Sequence, residues 1–209
     1  VKLDGEQTQI VSGTQIHKVG SSYRTFYVQE FAGINPETGN PLFYTNELDE
    51  NGNYIKEITE NSKNAQFIPY KHAEPTVNGG ISNSLRYKWL DLNFLFSYQF
   101  GGYSYDTWAQ KTEHGGNDLE ANIPTYYKNS WRKPGDVTKY ELFYEKPNVA
   151  MNKVTTTRRL HSTDFIRLKT LTFGVTIPKE WTRTIGIENV RLYASANNLW
   201  TWAAYDYYD

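Results

Sequence analysis

The chain contains no cysteine, which removes disulfides, thiolate nucleophiles and cysteine-bound metals together. No run approaches the roughly 18 consecutive apolar residues that a membrane-spanning helix needs. An excess of one charge is also missing: 22 basic residues face 23 acidic ones, for a net charge of −1. Lysine and arginine are scattered, so no nucleic-acid partner is expected. The start, VKLDGEQTQI, has neither a basic n-region nor an apolar h-region, and no signal peptide is read there. An exported protein starting this way is expected to be a mature form or an internal piece. Low mean hydropathy leaves one membrane architecture open. The strands of a membrane β-barrel are half polar and its loops wholly so.

Aromatic residues are plentiful instead, at 16% with 17 Tyr, 10 Phe and 6 Trp. They favour strands and membrane interfaces, and they stack on flat ligands such as sugar rings. In LRYKWLDLNFLFSYQF, residues 85–100, the second half alternates. Leu92, Phe94, Phe96, Tyr98 and Phe100 fall on one face; Asp91, Asn93, Ser97 and Gln99 fall on the other, with Leu95 as the exception. Period two with one apolar face predicts a β-strand whose sides meet different solvents. The apolar side is about ten residues tall, close to a tilted transmembrane strand.

Six strand-like segments can be placed: roughly Gln7–His17, Tyr23–Ile34, Thr76–Tyr87, the run up to Phe100, Thr163–Ile177 and Asn189–Trp200. The pair Gly79-Gly80 predicts a bend or bulge in the third. Connectors alternate in length: Val19–Ser21, Lys88–Trp89 and Pro178–Glu188 are short, while 35–75 and 104–162 are long. Long loops without a function are uncommon in compact soluble domains. Tight turns on the periplasmic side and long loops outside are the habit of outer-membrane barrels. On that reading 35–75, 104–162 and the tail from Thr201 are extracellular. The alternation also fits half of a soluble β-sandwich with the apolar face as its core. Four aromatics on one face are bulky for an interior about 10 Å thick.

The run Arg158-Arg159-Leu160-His161-Ser162-Thr163-Asp164-Phe165-Ile166-Arg167-Leu168-Lys169 leads into Leu171-Thr172-Phe173-Gly174-Val175-Thr176-Ile177-Pro178. It is followed by Val190-Arg191-Leu192-Tyr193-Ala194-Ser195-Ala196-Asn197-Asn198-Leu199-Trp200-Thr201-Trp202. With Phe31-Ala32-Gly33-Ile34-Asn35-Pro36-Glu37-Thr38-Gly39 and Gly79-Gly80-Ile81-Ser82-Asn83 upstream, this resembles the C-terminal barrel region of SusC-like TonB-dependent transporters. The resemblance spans nearly the whole chain, in order.

It implies an all-β fold: an antiparallel transmembrane β-barrel segment of about six strands, from a barrel of about 22 strands. Members carry an N-terminal plug and import glycans or peptides across the Gram-negative outer membrane with energy from TonB. A SusD-like surface lipoprotein delivers the ligand. Residues 1–209 would be a partial barrel domain without plug or TonB box, ending at Tyr207-Tyr208-Asp209 in a loop. Six strands leave two open edges, and an unpaired backbone group in lipid costs several kcal/mol. The remaining barrel strands are therefore expected partners, with outer-membrane lipid, the lipoprotein and the TonB complex. A soluble carbohydrate-binding β-sandwich is the alternative.

No catalytic or metal constellation emerges from His17, His72, His114 and His161, and neither an enzyme nor a cofactor is expected. Asp49-Glu50-Asn51-Gly52-Asn53 reads as a β-turn rather than a calcium loop. Arg158-Arg159 offers an anion two cations, but reads first as a solvated loop base. In the long loop, Tyr105, Trp108, Tyr126, Tyr127 and Trp131 stand among Asn, Asp and Gln, the combination of aromatic faces and planar hydrogen-bonding groups that a sugar requires. Trp89, Tyr103, Trp181, Trp200 and Trp202 are expected as membrane-interface aromatics.

Overall fold

The computed structural model describes residues 8–205 apart from Leu119, Lys146 and Asn148. The expected strand start at Gln7 and the terminal Tyr207-Tyr208-Asp209 lie outside the described residues. The chain divides into two compact units, residues 74–103 with 162–209, and residues 1–73 with 104–161.

The first unit is one antiparallel sheet of four long strands, Val77–Tyr87, Leu90–Phe100, Phe165–Ile177 and Val190–Ala203, in that spatial order. The first two form a hairpin whose two-residue turn places Lys88 at φ 54°. A positive φ at the first central residue matches the turn to the strand twist, at some cost for a non-glycine. Cross-strand register carries the alternation through the sheet. Ile81 faces Phe96, Phe94 faces Leu171, and Leu171 faces Ala196. On the other face Ser84 pairs with Asn93, Asn93 with Thr172, and Thr172 with Ser195. Period-two residues directly opposite one another share a face, so four separate patterns become two continuous surfaces.

The bulge expected at Gly79-Gly80 is not there: Val77 to Tyr87 pair without a register shift. Those glycines instead clear space, since a Cβ on Gly79 would lie 2.7 Å from the Tyr98 hydroxyl. The irregularity falls across Leu95/Phe96 and Leu168/Thr170, where Lys169 is extra and Asn198 on the next strand has φ 52°. At the end away from the hairpin turn Asp164 ties the strands, accepting from Gly101 N at 2.6 Å and giving its carbonyl to Ala204 N at 2.9 Å.

The second unit corrects the six-strand expectation. Residues expected as one strand from Gln7 to His17 form a hairpin, Gln9–Ser12 against Gln15–Lys18, because Gly13 turns the chain at φ 58°. The expected strand Tyr23–Ile34 splits at Glu30. Thr25–Gln29 joins the hairpin and Phe67–His72, while Phe31–Ile34 joins Pro41–Tyr44 and Ile58–Thr59. The expected loop 35–75 therefore contains strands, including a small arm, Glu47–Leu48 with Tyr54–Ile55. Its core is Phe43, Ala65, Val149 and Met151, flanked by Phe31 and Val154. The stretch from Ser104 closes onto it. Gln29 N donates to Thr155 O at 3.0 Å, and Trp131 Nε1 donates to Pro36 O at 2.8 Å. Gly39, at φ 72°, could not carry a Cβ, which would sit 2.5 Å from the Trp131 ring.

Candidate functional site

Both units hold residues that the sequence singles out. In the long sheet one surface is apolar but for Asn83 opposite Phe94: Ile81, Leu85, Leu92, Phe94, Phe96, Ile166, Leu171, Phe173, Val175, Leu192, Ala194 and Ala196 share it. The other carries Asn78, Ser82, Ser84, Asn93, Ser97, Gln99, Thr170, Thr172, Ser195 and Asn197. Across this polar surface Arg191 grips Asp91 at 2.7 and 3.3 Å. Gly174 lies between their strands and makes room, because a Cβ there would be 2.5 Å from both Asp91 carboxylate oxygens. A sheet of this kind has no interior of its own. Its apolar side chains stay exposed, Ile81 at 59% and Leu192 at 61%.

Aromatics cluster at both ends. Trp200 and Trp202 pair with Leu168 and Ile166 on the apolar face, at the end where Tyr98 and Phe100 also lie. Trp89 occupies the hairpin turn at the opposite end, and Trp181 the connector between the last two strands. Tyr103 opens the short strand Tyr103–Tyr105, where the chain passes to the second unit.

In the second unit the five aromatics proposed for a ligand part company. Tyr105, Tyr127 and Trp131 are each less than a tenth exposed. Tyr127 donates to Glu141 Oε1 at 2.8 Å and Trp131 to Pro36 O, while the Tyr105 hydroxyl is buried without a hydrogen-bond partner. Tyr126 donates to Glu113 Oε1 at 3.0 Å and stacks on Tyr140 at 4.8 Å. Trp108 alone of the five projects outward, 72% exposed on the helix Thr107–Thr112.

Arg158 and Arg159 correct the reading of a solvated base. Both side chains are under a tenth exposed. Arg158 binds Glu141 at 2.6 Å and Glu113 at 3.3 Å, and lies over the Tyr140 and Phe31 rings at 5.0 and 5.5 Å. Arg159 approaches Glu113 at 3.3 Å and donates to Val154 O at 3.1 Å. Burial alone would push the Arg158 pKa down, but Glu141 and Glu113 raise it, so the guanidinium stays charged. The Tyr127 and Tyr126 hydroxyls are raised first by burial and then by the neighbouring carboxylate charges, and stay neutral. Two guanidiniums set against two carboxylates tie these loop segments together, with Glu113 Oε2 and Arg159 Nε and Nη2 held by charge and without a hydrogen-bond partner.

Other residues went unnoticed in the sequence. A cleft of about 460 Å³ is lined by Tyr27, Phe67, Pro69, Glu47, Leu48 and Tyr54 among others. Phe67 and Tyr27 rings are 5.4 Å apart in its wall. No local signal marks such a cleft, since these walls come from four separate strands. His114 is buried, its Nδ1 accepting from Gly116 and Asp118 amides at 3.2 and 3.3 Å. His161 is held low by burial, opposed by the Asp106 charge. Asp49 accepts from the Asn51 and Asn53 amides at 2.9 and 2.8 Å, closing the expected turn. Among the described residues no group of three potential ligands is arranged for a metal.

Comparison with known proteins places this geometry. No family model matches the chain. TonB-dependent receptor P3 of Formosa agariphila is 26% identical over 197 residues, 92% of this chain and 19% of the receptor. TonB-dependent receptor P39 of the same organism is 28% identical over 137 residues, 63% of this chain and 13% of the receptor. Among solved structures, the RagAB peptide transporter matches 95% of this chain and 22% of its own, with TM-score 0.74 and 26% identity. The RagAB peptide importer in its closed-closed state covers 97% of this chain and 22% of its own, with TM-score 0.75 and 25% identity. The chain thus spans about a fifth of the length of these relatives. The resemblance to SusC-like TonB-dependent transporters read from the sequence is borne out, as is the all-β, antiparallel class. These relatives are receptors and transporters, not enzymes.

Proposed function

From a chain similar over most of its length to TonB-dependent receptors, we propose that these residues are part of the wall and loops of an outer-membrane nutrient importer of the SusC type. The single observation that carries this is the division of the long sheet into one apolar and one polar surface over strands of eleven to fourteen residues. Tilted strands of about that length cross the roughly 25 Å apolar band of an outer-membrane barrel. The apolar surface would meet lipid and the polar surface the lumen. Strands Val77–Tyr87 and Val190–Ala203 each leave an edge unpaired among the described residues. The remaining strands of the same barrel would cover those edges.

On this reading the hairpin turn at Lys88–Trp89 and the connector 178–188 are periplasmic. The unit built from 1–73 and 104–161 belongs to the extracellular side, where a SusD-like lipoprotein would deliver cargo. Energy would come from TonB through a plug outside this chain. Glycans are the first cargo class, supported by exposed aromatics such as Trp108 and by the aromatic wall of the cleft. Peptides are the second, favoured by the likeness to a peptide importer. The soluble sandwich is the competing class. Cell fractionation separates the two: the importer is found in the Triton-insoluble outer membrane. Release of the protein in soluble form by osmotic shock would overturn the membrane reading.

A further inference from the structure

At the turn end of the long sheet the connector between its last two strands is folded into hydrogen-bonded turns, yet it holds large apolar side chains outward. Residues Lys179–Thr182 form one helical turn and Arg183–Ile185 a tighter one, closed by Gly186 at φ 76°. The fold is stitched by Trp181 N to Pro178 O at 3.0 Å, Gly186 N to Arg183 O at 3.1 Å and Ile187 N to Thr182 O at 3.3 Å. Thr182 is buried at 4%, fixing which side faces the protein. Trp181 and Ile185 are each 71% exposed and Ile187 43%. Structured segments rarely expose a cluster of this kind unless something covers it.

Three facts identify the cover. The connector follows directly from Ile177 and returns at Val190, the pair that ends the apolar face of the sheet. Exposed apolar Trp181 and Ile185 and the basic Lys179 and Arg183 are carried by the same two short turns. Lys179, Arg183 and Glu188 line one depression of about 380 Å³ together with Gly186 and Ile187. Two cations and one carboxylate around a small hollow match a headgroup that carries both a phosphodiester and an ammonium.

We propose that the connector 178–188 is an interfacial foot that seats the headgroup of a phosphatidylethanolamine-type phospholipid. Trp181, Ile185 and Ile187 enter the acyl boundary. Lys179 and Arg183 take the phosphate, and Glu188 takes the primary ammonium. Lys88 and Trp89, in the neighbouring hairpin turn, continue the same basic and aromatic collar around this end of the sheet. The proposal rests on the membrane reading of the sheet and adds to it a specific lipid site.

The test uses the full transporter in nanodiscs of phosphatidylethanolamine and phosphatidylglycerol, with nitroxides at Ile185→Cys and, separately, at Ile81→Cys in the sheet. Both labels are expected to be oxygen-accessible and shielded from an aqueous nickel chelate, Ile185 just below the phosphates and Ile81 deeper. Purified protein should retain several-fold less phosphatidylethanolamine in K179Q/R183Q, and E188Q should erase its preference over phosphatidylglycerol. An Ile185 label in water with the Ile81 label in lipid overturns the foot alone. Both labels in water overturn the membrane reading and the foot with it. Unchanged lipid retention in the charge variants overturns the headgroup site.

Discussion

Arg158 and Glu141 meet at 2.6 Å in the interior of the second unit, seventeen positions apart in the chain and both under a tenth exposed. Removing one member of a buried pair strands the other charge, at a cost of about 3–5 kcal/mol. Glu141→Gln is therefore expected to loosen this unit by that order. Limited proteolysis of the full-length protein should show new cleavage within 104–161 while the long sheet stays protected. Wild-type resistance would show that Glu113 alone neutralises Arg158.

Gly174 makes the Asp91–Arg191 contact possible on the polar surface, so Gly174→Ala should break it. A methyl 2.5 Å from two carboxylate oxygens must displace the Asp91 side chain. The effect should be non-additive with Asp91→Asn, because both changes remove the same contact. Heat-modified electrophoretic migration of the double and single variants measures this. Additive losses would mean that Gly174 acts through something other than Asp91.

Glu60 gathers the turn at 35–40. It accepts from Asn35 Nδ2 at 2.6 Å, Thr38 Oγ1 at 2.7 Å and Asn40 Nδ2 at 2.8 Å. Burial pushes its pKa up, but the three hydrogen bonds outweigh that and hold it below the ordinary value of 4.5. A depressed carboxylate contributes stability that is present above the unfolded value and lost as pH falls through the folded one. Amide exchange at Asn35 and Gly39, whose N–H groups close this turn, should speed up relative to other turns below pH 4.5. Glu60→Gln should show fast exchange already at neutral pH.

How much of this was legible depends on whether the information is local. Period-two residues from Leu92 to Phe100 mark their strand because each side chain's face follows from its neighbour two positions away. The strands Phe165–Ile177 and Val190–Ala203 follow the same rule and were placed within a few residues. The second unit was not legible. Gln29 turns its amide to Thr155 and Phe31 to the Thr157 hydroxyl, contacts more than a hundred residues distant that no periodicity records. Arg158 and Arg159 look like surface bases in sequence. Only the fold brings Glu113 and Glu141 to them, across separations no spacing rule covers. Nor does spacing record where two of the five loop aromatics send their polar groups, Tyr127 to Glu141 and Trp131 to Pro36.

A charge on the apolar surface should be far more costly than one on the polar surface. Phe94→Arg near mid-height is expected to cost about 2–4 kcal/mol and to lower the amount of folded protein in the membrane. Asn93→Arg, one residue away, should be tolerated. Quantifying both variants in outer-membrane fractions checks this, and equal losses would deny the two-faced assignment.

The most direct measurement is cysteine labelling along Leu90–Phe100 of the full-length protein in intact outer membranes, with a membrane-impermeant maleimide. These 209 residues contain no cysteine of their own to confuse the signal. Cysteines at Asn93, Ser97 and Gln99 should react, and those at Leu92, Phe94 and Phe96 should not. Reaction at every position, or with the two sets exchanged, would contradict a sheet with lipid on one side and an aqueous lumen on the other.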